Sequence, residues 1–269
     1  MTTVAERRAR FRELHADGLF VMPNPWDIGS AKLLATCGFE ALATTSAGFA
    51  WALGKHDQNV TRDELVAHVT ELAAATELPL NVDSERCYPD DPGGVAQTVA
   101  LLAEAGAAGF SIEDYNPASG RVDEVGLAAE SVAAAVEASR GLPEPMVVTA
   151  RAENHIRGVD DLDDTIARLL AYRDAGADAV YAPGLVDLEQ IAAVVAAVEL
   201  PLNVLILPGG PTVAELAGVG VRRVSTGSLI AARAYGALVE AADALRADGT
   251  PPASSGLVSR EKLSAGFDG

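Results

Sequence analysis

The sequence predicts a (β/α)8 barrel, and the first reason is a regular alternation of two patterns along its 269 residues. Short, almost continuously apolar runs, typical of strands covered on both faces, alternate with stretches whose apolar residues recur at helical spacing. The eight strand segments are predicted at 19–26, 41–47, 78–85, 109–115, 146–154, 179–185, 200–207 and 222–228. The clearest helices are predicted at 62–76, 95–107, 162–177 and 188–198.

The second reason is a small-residue cap between several helices and the strand that follows. Gly38, Gly106, Gly176 and Gly220 stand where the chain must reverse, and glycine accepts the left-handed conformation of such a cap. Eight βα units fit a barrel with its functional site on the loops after the strands. A doubly wound sheet is the alternative, but the units are too many and too regular for it.

One domain is predicted over residues 1–269, with a core at about 15–249 and a tail at 250–269. The tail begins with a stretch rich in Pro and Ser, so we expect it to be loose or to reach a partner subunit.

Composition narrows the class of protein. The net charge of −18 argues against nucleic-acid binding, which needs a basic surface. The apolar runs are too short to cross a membrane and the chain starts without a signal-like stretch, so we expect a cytoplasmic protein with no membrane partner. Two cysteines, Cys37 and Cys87, are too few for a disulfide scaffold or a thiolate zinc site.

Four acidic residues stand where a parallel barrel would bring them together. Asp57 lies just past one apolar run, Asp83 and Glu85 close the next, and Glu113 closes the one after. In a barrel they converge, and their repulsion needs a cation or shared protons. Alternation along a strand would place Asp83 and Glu85 on one face. A few hard oxygen ligands suit Mg²⁺, with Mn²⁺ as a substitute. The alternative is that each carboxylate caps a helix or pairs with an arginine.

Two further features could bind an anion. Arg151 emerges from an apolar strand, so it either pairs with the acids or clamps an anionic substrate, and we favour the clamp. Residues 45–49 offer backbone N–H groups and a hydroxyl to a carboxylate, although a simple turn explains them more economically. The glycine loops at 208–211 and 226–228, with Gly209, Gly210 and Gly227, keep a phosphosugar-binding barrel as a competitor.

These residues, in this order, resemble the isocitrate lyase / phosphoenolpyruvate mutase superfamily. The matching positions are Trp26-Asp27, Ser46-Ala47-Gly48, Asp57, Asp83-Ser84-Glu85, Glu113-Asp114, Arg151 and Asn203. The resemblance implies a barrel with a C-terminal helical extension that is either appended or exchanged between subunits, usually in homodimers or homotetramers. It also implies that the protein binds Mg²⁺ and acts on small carboxylic acids through a pyruvate-like enolate.

The resemblance also implies roles for individual residues. Ser46, Ala47 and Gly48 would hold the substrate carboxylate with Arg151, and Trp26 and Asn203 would complete the substrate site. Asp83, Glu85 and Glu113 would hold Mg²⁺ directly or through water, with Asp57 beside the ion. The catalytic group would be Asp57, Arg151 and Glu113, with the metal stabilising the enolate oxygen.

Two departures from the family bear on the reaction. The loop 116–122 lacks the cysteine that protonates the enolate in the lyases, and Pro183 stands where many members have glutamate. We therefore expect a Mg²⁺-dependent lyase or hydrolase that cleaves a C–C bond in a small 2-oxo or 2-hydroxy acid, but not isocitrate cleavage by the usual route. The alternatives are an enzyme that processes a P–C bond and a barrel that binds an oxo acid without turnover.

Overall fold

A computed structural model, which describes residues 2–253 and 255–268, shows one sheet of eight parallel strands. They are β1 (Phe20–Met22), β2 (Leu42–Ala43), β3 (Leu80–Asp83), β4 (Gly109–Glu113), β7 (Val147–Arg151), β8 (Ala179–Tyr181), β9 (Leu202–Leu205) and β10 (Arg223–Ser225). Each lies inside one predicted strand segment. Their order is β1-β10-β9-β8-β7-β4-β3-β2, and the Ala43 N–H donates to the Pro23 carbonyl at 3.2 Å across the remaining gap. The (β/α)8 prediction is confirmed, and the doubly wound alternative is wrong.

Helices surround this nearly closed ring. They are α1 (Val4–Leu14), α2 (Ile28–Ala35), α3 (Ser46–Ala52), α4 (Arg62–Ala75), α5 (Gly94–Glu104), α6 (Val125–Arg140), α7 (Leu162–Asp174), α8 (Leu188–Val198), α9 (Val213–Gly218), α10 (Leu229–Asp248) and α11 (Arg260–Phe267). The four helices predicted from periodicity correspond to α4, α5, α7 and α8. The four predicted caps, Gly38, Gly106, Gly176 and Gly220, have φ angles of 83°, 97°, 99° and 88°. Glycine is favoured in this left-handed region.

The N-terminal helix α1 covers the end of the barrel opposite the carboxyl ends of the strands. Phe11 packs with Met22 and Val147 in a small apolar cluster, and a Cβ added to Gly109 at the start of β4 would lie 2.6 Å from its ring. Arg8 fixes the helix by donating to the carbonyls of Ala103, Ala107 and Glu144.

The loop between β4 and α6 forms a small antiparallel hairpin of β5 (Tyr115–Asn116) and β6 (Arg121–Val122). The Arg157 guanidinium lies 3.4 Å from the centre of the Tyr115 ring, and Arg86 pairs with Asp123 at 2.5 Å. These contacts hold the hairpin against the barrel.

The C-terminal segment has two different environments. Of the 20 residues of α10 only Ala231 is buried, although the helix carries several large apolar side chains. The short helix α11 instead returns to α2, where Lys262 donates to the Thr36 carbonyl at 3.1 Å and Gly266 lies close to Leu33. The end of the tail is therefore packed against the barrel. Among the described residues, no helix is long and apolar enough to span a membrane.

Candidate active site

A cavity of about 140 Å³ opens among the carboxyl ends of the strands. Six residues predicted from the sequence line it: Ser46, Ala47, Asp57, Asp83, Arg151 and Asn203. The other four predicted residues, Trp26, Gly48, Glu85 and Glu113, are not part of its wall. The structure thus brings most of the predicted site together, with two of the acids held behind the surface of the cavity.

Arg151, at the end of β7, is the centre of the charged network. Its Nη1 lies 3.5 Å from Asp83 Oδ1 and 3.4 Å from Glu113 Oε2, and its Nε donates to Glu153 Oε1. Burial by itself would lower the pKa of Arg151, but Glu153, Glu113 and Asp83 raise it well above its ordinary value. The guanidinium is therefore a permanent cation, and the ion-pair alternative for Arg151 is what the structure shows. Its role as a substrate clamp stays a prediction.

The carboxylates outnumber the cations around this arginine. Burial, followed by repulsion from Glu153, raises the pKa of Glu113 well above its ordinary value. Burial and then repulsion from Asp83 and Asp57 raise the pKa of Glu85 to about 8. Burial and then Asp83 raise the pKa of Asp57, although the Ser46 hydroxyl opposes this shift. A further positive charge beside these acids would reduce their mutual repulsion and lower their pKa values.

Glu85 reaches this cluster by a route that differs from the prediction. Strand β3 ends at Asp83, so alternation along a strand does not place Glu85, and that part of the prediction is wrong. The chain instead turns with φ of 49° at Glu85, while Ser84 points away and donates to the Ser111 carbonyl at 2.6 Å. Glu85 is buried, and its Oε1 has no hydrogen-bond partner among the described residues.

The segment predicted to close the second strand is the start of a helix. Ser46 begins α3, Thr45 caps it by accepting from the Gly48 N–H at 3.2 Å, and the Ser46 N–H donates to Asp83 Oδ2 at 3.1 Å. Gly48 is needed for packing, because an added Cβ would lie 2.6 Å from Thr45 Cγ2 and 3.2 Å from Trp26 Cβ. Trp26 and Gly48 thus pack behind the cavity wall, and their predicted contact with substrate remains untested.

No role was predicted from the sequence for several residues of the site, although Asp114 stands among the positions that match the family. Asp114 is buried and accepts from the Tyr172 hydroxyl at 2.5 Å, from Arg168 at 3.1 Å and from the Glu153 N–H at 2.8 Å. It thereby fixes the backbone that presents Glu153 to Arg151. A charged residue that follows a strand and precedes a loop gives little indication of such a role.

Tyr181 and Arg223 also line the cavity. Burial raises the pKa of Tyr181 to about 12, so its hydroxyl stays protonated and available as a donor. Arg223 is fully buried; it donates to Asn203 Oδ1 at 3.2 Å and to Thr149 Oγ1 at 2.8 Å, and burial lowers its pKa to about 9. These contacts place the predicted residue Asn203 deep in the barrel.

The acidic cluster suits a hard divalent cation in its chemistry. Its donors are carboxylate oxygens, one of which, Glu85 Oε1, is buried without a partner. No three His, Cys, Asp or Glu side chains of the described residues are arranged to ligate one ion directly. Mg²⁺ commonly uses one or two carboxylates and completes its octahedron with water and substrate oxygens, so the residues fit such an ion. Binding by Asp83, Glu85 and Glu113, directly or through water, stays a prediction.

Comparison with known proteins identifies the class of protein to which this barrel, with its acidic cavity around Arg151, belongs. Residues 11–246 match the family model described as phosphoenolpyruvate phosphomutase. The chain belongs to this family, within the superfamily of isocitrate lyases and phosphoenolpyruvate mutases. That membership confirms the predicted resemblance and places the chain among enzymes of the lyase and mutase type, rather than among phosphosugar-binding barrels.

Individual relatives extend this finding. A crystal structure of a protein from Burkholderia cenocepacia, described as a lyase or mutase by similarity, has a TM-score of 0.92 and 48% identity, over 97% of this chain and 95% of that one. An uncharacterized protein of Mycobacterium tuberculosis is 37% identical, over 81% of this chain and 82% of its own length. An oxaloacetate decarboxylase of Bradyrhizobium is 31% identical, over 88% of this chain and 83% of its own length.

Proposed function

We propose that the protein is a Mg²⁺-dependent enzyme that cleaves a C–C bond in a small 2-oxo or 2-hydroxy carboxylic acid, leaving a pyruvate-like enolate. The observation that carries the proposal is the excess of carboxylates around one arginine, of which Glu85, Glu113 and Glu153 are buried. Asp57, Asp83, Glu85, Glu113 and Glu153 face Arg151, and three of these acids have a raised pKa. The similarity to an oxaloacetate decarboxylase, which carries the same kind of substrate in its name, supports it.

A divalent cation fits this excess of negative charge. Asp83, Glu85 and Glu113 would hold it directly or through water, and when bound it would supply Lewis-acid polarisation of the substrate carbonyl. The charge that Mg²⁺ brings also offsets the repulsion among the acids. A metal and the substrate are therefore expected to bind together.

The residues of the chain would share the remaining work. Arg151 and the Tyr181 hydroxyl would hold the carboxylate end of the substrate, since both line the cavity and both keep their protons at neutral pH. In a 2-hydroxy acid, the carbon that carries the hydroxyl would become the carbonyl of a 2-oxo acid, and the electron pair of the broken bond would stay on the other fragment as an enolate. In oxaloacetate, CO2 would leave without a hydroxyl proton, and the electron pair would stay on the 2-oxo acid fragment as the enolate. In a 4-hydroxy-2-oxo acid, the electron pair would also stay on the 2-oxo acid fragment. The other fragment leaves as a carbonyl compound, with its hydroxyl proton passing to Asp57, whose raised pKa suits it to accept and return a proton.

The test is turnover of a panel of 2-oxo and 2-hydroxy acids, oxaloacetate included, with 2-oxo acid products followed by NMR. Product should form with Mg²⁺, disappear with EDTA and be lost in Asp83→Asn, while the exposed control Asp90→Asn keeps full activity. Full turnover in EDTA would overturn the proposal. Tight ligand binding without any product would favour the alternative of a non-catalytic binding protein.

We further propose that a second copy of this chain covers α10. The helix carries Leu238, Val239 and Leu245, each more than half exposed, and a group of exposed apolar side chains is typical of a surface that another protein covers. Light scattering should give a dimer or tetramer, and Leu238→Glu with Val239→Glu should shift it towards the monomer. A monomer at all concentrations of the unaltered protein would contradict this assembly.

A further inference from the structure

The cavity has a charged side and an apolar side, and the apolar side indicates which substrates the cavity could accept. Asp57, Asp83 and Arg151 form a charged side, whereas Ile156, in the loop after β7, and Leu205, the last residue of β9, are apolar parts of the lining. Ile156 is 44% exposed, so its side chain also reaches the mouth of the cavity. The apolar side thus runs from the interior to the solvent.

A third apolar side chain, Val186, lies in the neighbouring loop after β8. A Cβ added to Gly184 would lie 2.9 Å from the Ile156 nitrogen, so the loop after β8 is pressed against the loop after β7. On the other flank, a Cβ added to Gly210 would lie 3.7 Å from Val186 Cγ1. Val186 is 46% exposed between these two contacts. We call Ile156, Val186 and Leu205 the apolar rim: Ile156 and Leu205 line the cavity, and Val186 lies in the loop that is packed against the Ile156 backbone.

Arg223 also lines the cavity, but it is fully buried and donates to Asn203 Oδ1 and Thr149 Oγ1. Among the described residues, the loops of the rim hold no unengaged cation that could receive a second anionic group. Residues 182–187 and 206–212 contain no Lys, Arg or His. In the loop after β7, Arg157 is engaged by Glu153 at 3.0 Å and stacks on Tyr115, and the largely buried His155 lies 3.3 Å from Asp160. A carboxylate or phosphonate placed there would lose its hydration without an opposite charge.

We propose that the part of the substrate beyond its enolate-forming core is an uncharged, branched alkyl group held against Ile156, Val186 and Leu205. The inference rests on the proposed function, because it assumes that the 2-oxo acid core lies on the charged side. It names the substrate class as alkyl-substituted 2-oxo or 2-hydroxy monocarboxylic acids, in preference to dicarboxylic or phosphonic acids.

Two stable analogues test this directly, because they share an oxalyl head and differ in the tail. N-isobutyl oxamate carries a branched alkyl tail, and N-oxalylglycine carries a carboxylate. Calorimetry with Mg²⁺ should show the isobutyl compound binding roughly tenfold more tightly, the range expected for an alkyl contact in a partly open apolar site. Ile156→Arg should reverse the preference, and Ile156→Ser should weaken only the isobutyl compound. Leu127→Arg, at an exposed apolar position on α6, is the matched control and should change neither.

Oxalate itself separates this inference from the proposed function. If oxalate binds to the unaltered protein and to Ile156→Arg, but N-oxalylglycine binds the unaltered protein as tightly as the isobutyl compound, the inference about the rim is wrong and the enolate site stands. The inference is also wrong if Ile156→Arg leaves the ratio of the two affinities unchanged. If oxalate does not bind the unaltered protein, the proposed function has failed.

Discussion

Glu85 connects the fold to the proposed chemistry most directly, because burial and neighbouring acids disfavour its charged form in the folded protein. It is buried, its Oε1 is unpartnered among the described residues, and its pKa is raised to about 8 from 4.5. An acid whose pKa is higher in the folded protein than in the unfolded chain stabilises the fold at pH values below the unfolded-state pKa. That stabilisation is lost as the pH rises through the folded-state pKa. Metal-free protein should therefore lose stability between pH 4.5 and about 8.

The size of the effect follows from the shift. From the folded and ordinary pKa values, linkage gives a cost of roughly 3 kcal/mol at pH 7 and less than about 1 kcal/mol at pH 5. Replacing Glu85 with Gln removes the titration while keeping the shape. In EDTA, Glu85→Gln should therefore raise the free energy of unfolding by up to about 3 kcal/mol at pH 7, and by much less at pH 5.

Urea unfolding of both proteins at the two pH values, in EDTA and in Mg²⁺, measures this. Mg²⁺ should stabilise the unaltered protein and stabilise Glu85→Gln less, because a ligand stabilises only the state that binds it. Glu71→Gln, on the exposed side of α4, is the matched control. An equal gain for Glu85→Gln at pH 5 and pH 7, or a loss of stability at pH 7, would refute the reasoning.

Three further predictions concern stability. Burial lowers the pKa of His68 from 6.5 to about 4, so below pH 6.5 the unfolded chain binds a proton that the folded protein does not. Through this group, the free energy of unfolding should fall by about 2 kcal/mol between pH 7 and pH 5. His68→Gln should reduce that loss, and an unchanged acid slope in urea unfolding would contradict it. Tyr172→Phe removes the donor to buried Asp114 and should cost about 1–3 kcal/mol of unfolding free energy; a neutral result would show that the bond is not needed. Gly184→Ala should lower Tm more than Gly209→Ala, because both have positive φ but only Gly184 faces backbone at 2.9 Å; equal shifts would contradict the close approach.

The barrel could be predicted because its signals are local and repeated. A strand that is buried on both faces has an apolar sequence, and each left-handed cap favours a glycine. All eight strands and all four of the caps that were predicted are therefore present in the structure. Helix α1 was missed because its sequence is dense in charge. It is held by Arg7 and Arg8 bonding to carbonyls of the barrel, a tertiary interaction that leaves no periodic pattern.

The site could be predicted only in part, for the same physical reason. Asp83 and Arg151 line the cavity because they end strands β3 and β7, where topology alone brings them together, and Asp57 reaches the same cavity from the loop after α3. Glu85 depends on a left-handed turn that no local signal demanded. Arg223 follows Arg222, and nothing in the sequence tells which of the two enters the barrel; Arg222 pairs with Asp17 at the surface, whereas Arg223 is fully buried.

The central claim is that Mg²⁺ and an enolate-like dianion bind together among these acids. Oxalate, which is planar and doubly charged, mimics the enolate whatever group the substrate carries, so calorimetry of oxalate with Mg²⁺ and then with EDTA tests the claim most directly. We predict tight binding with Mg²⁺ that disappears in EDTA and in Glu113→Ala. Binding of equal strength with and without the metal, or no binding under either condition, would contradict the account.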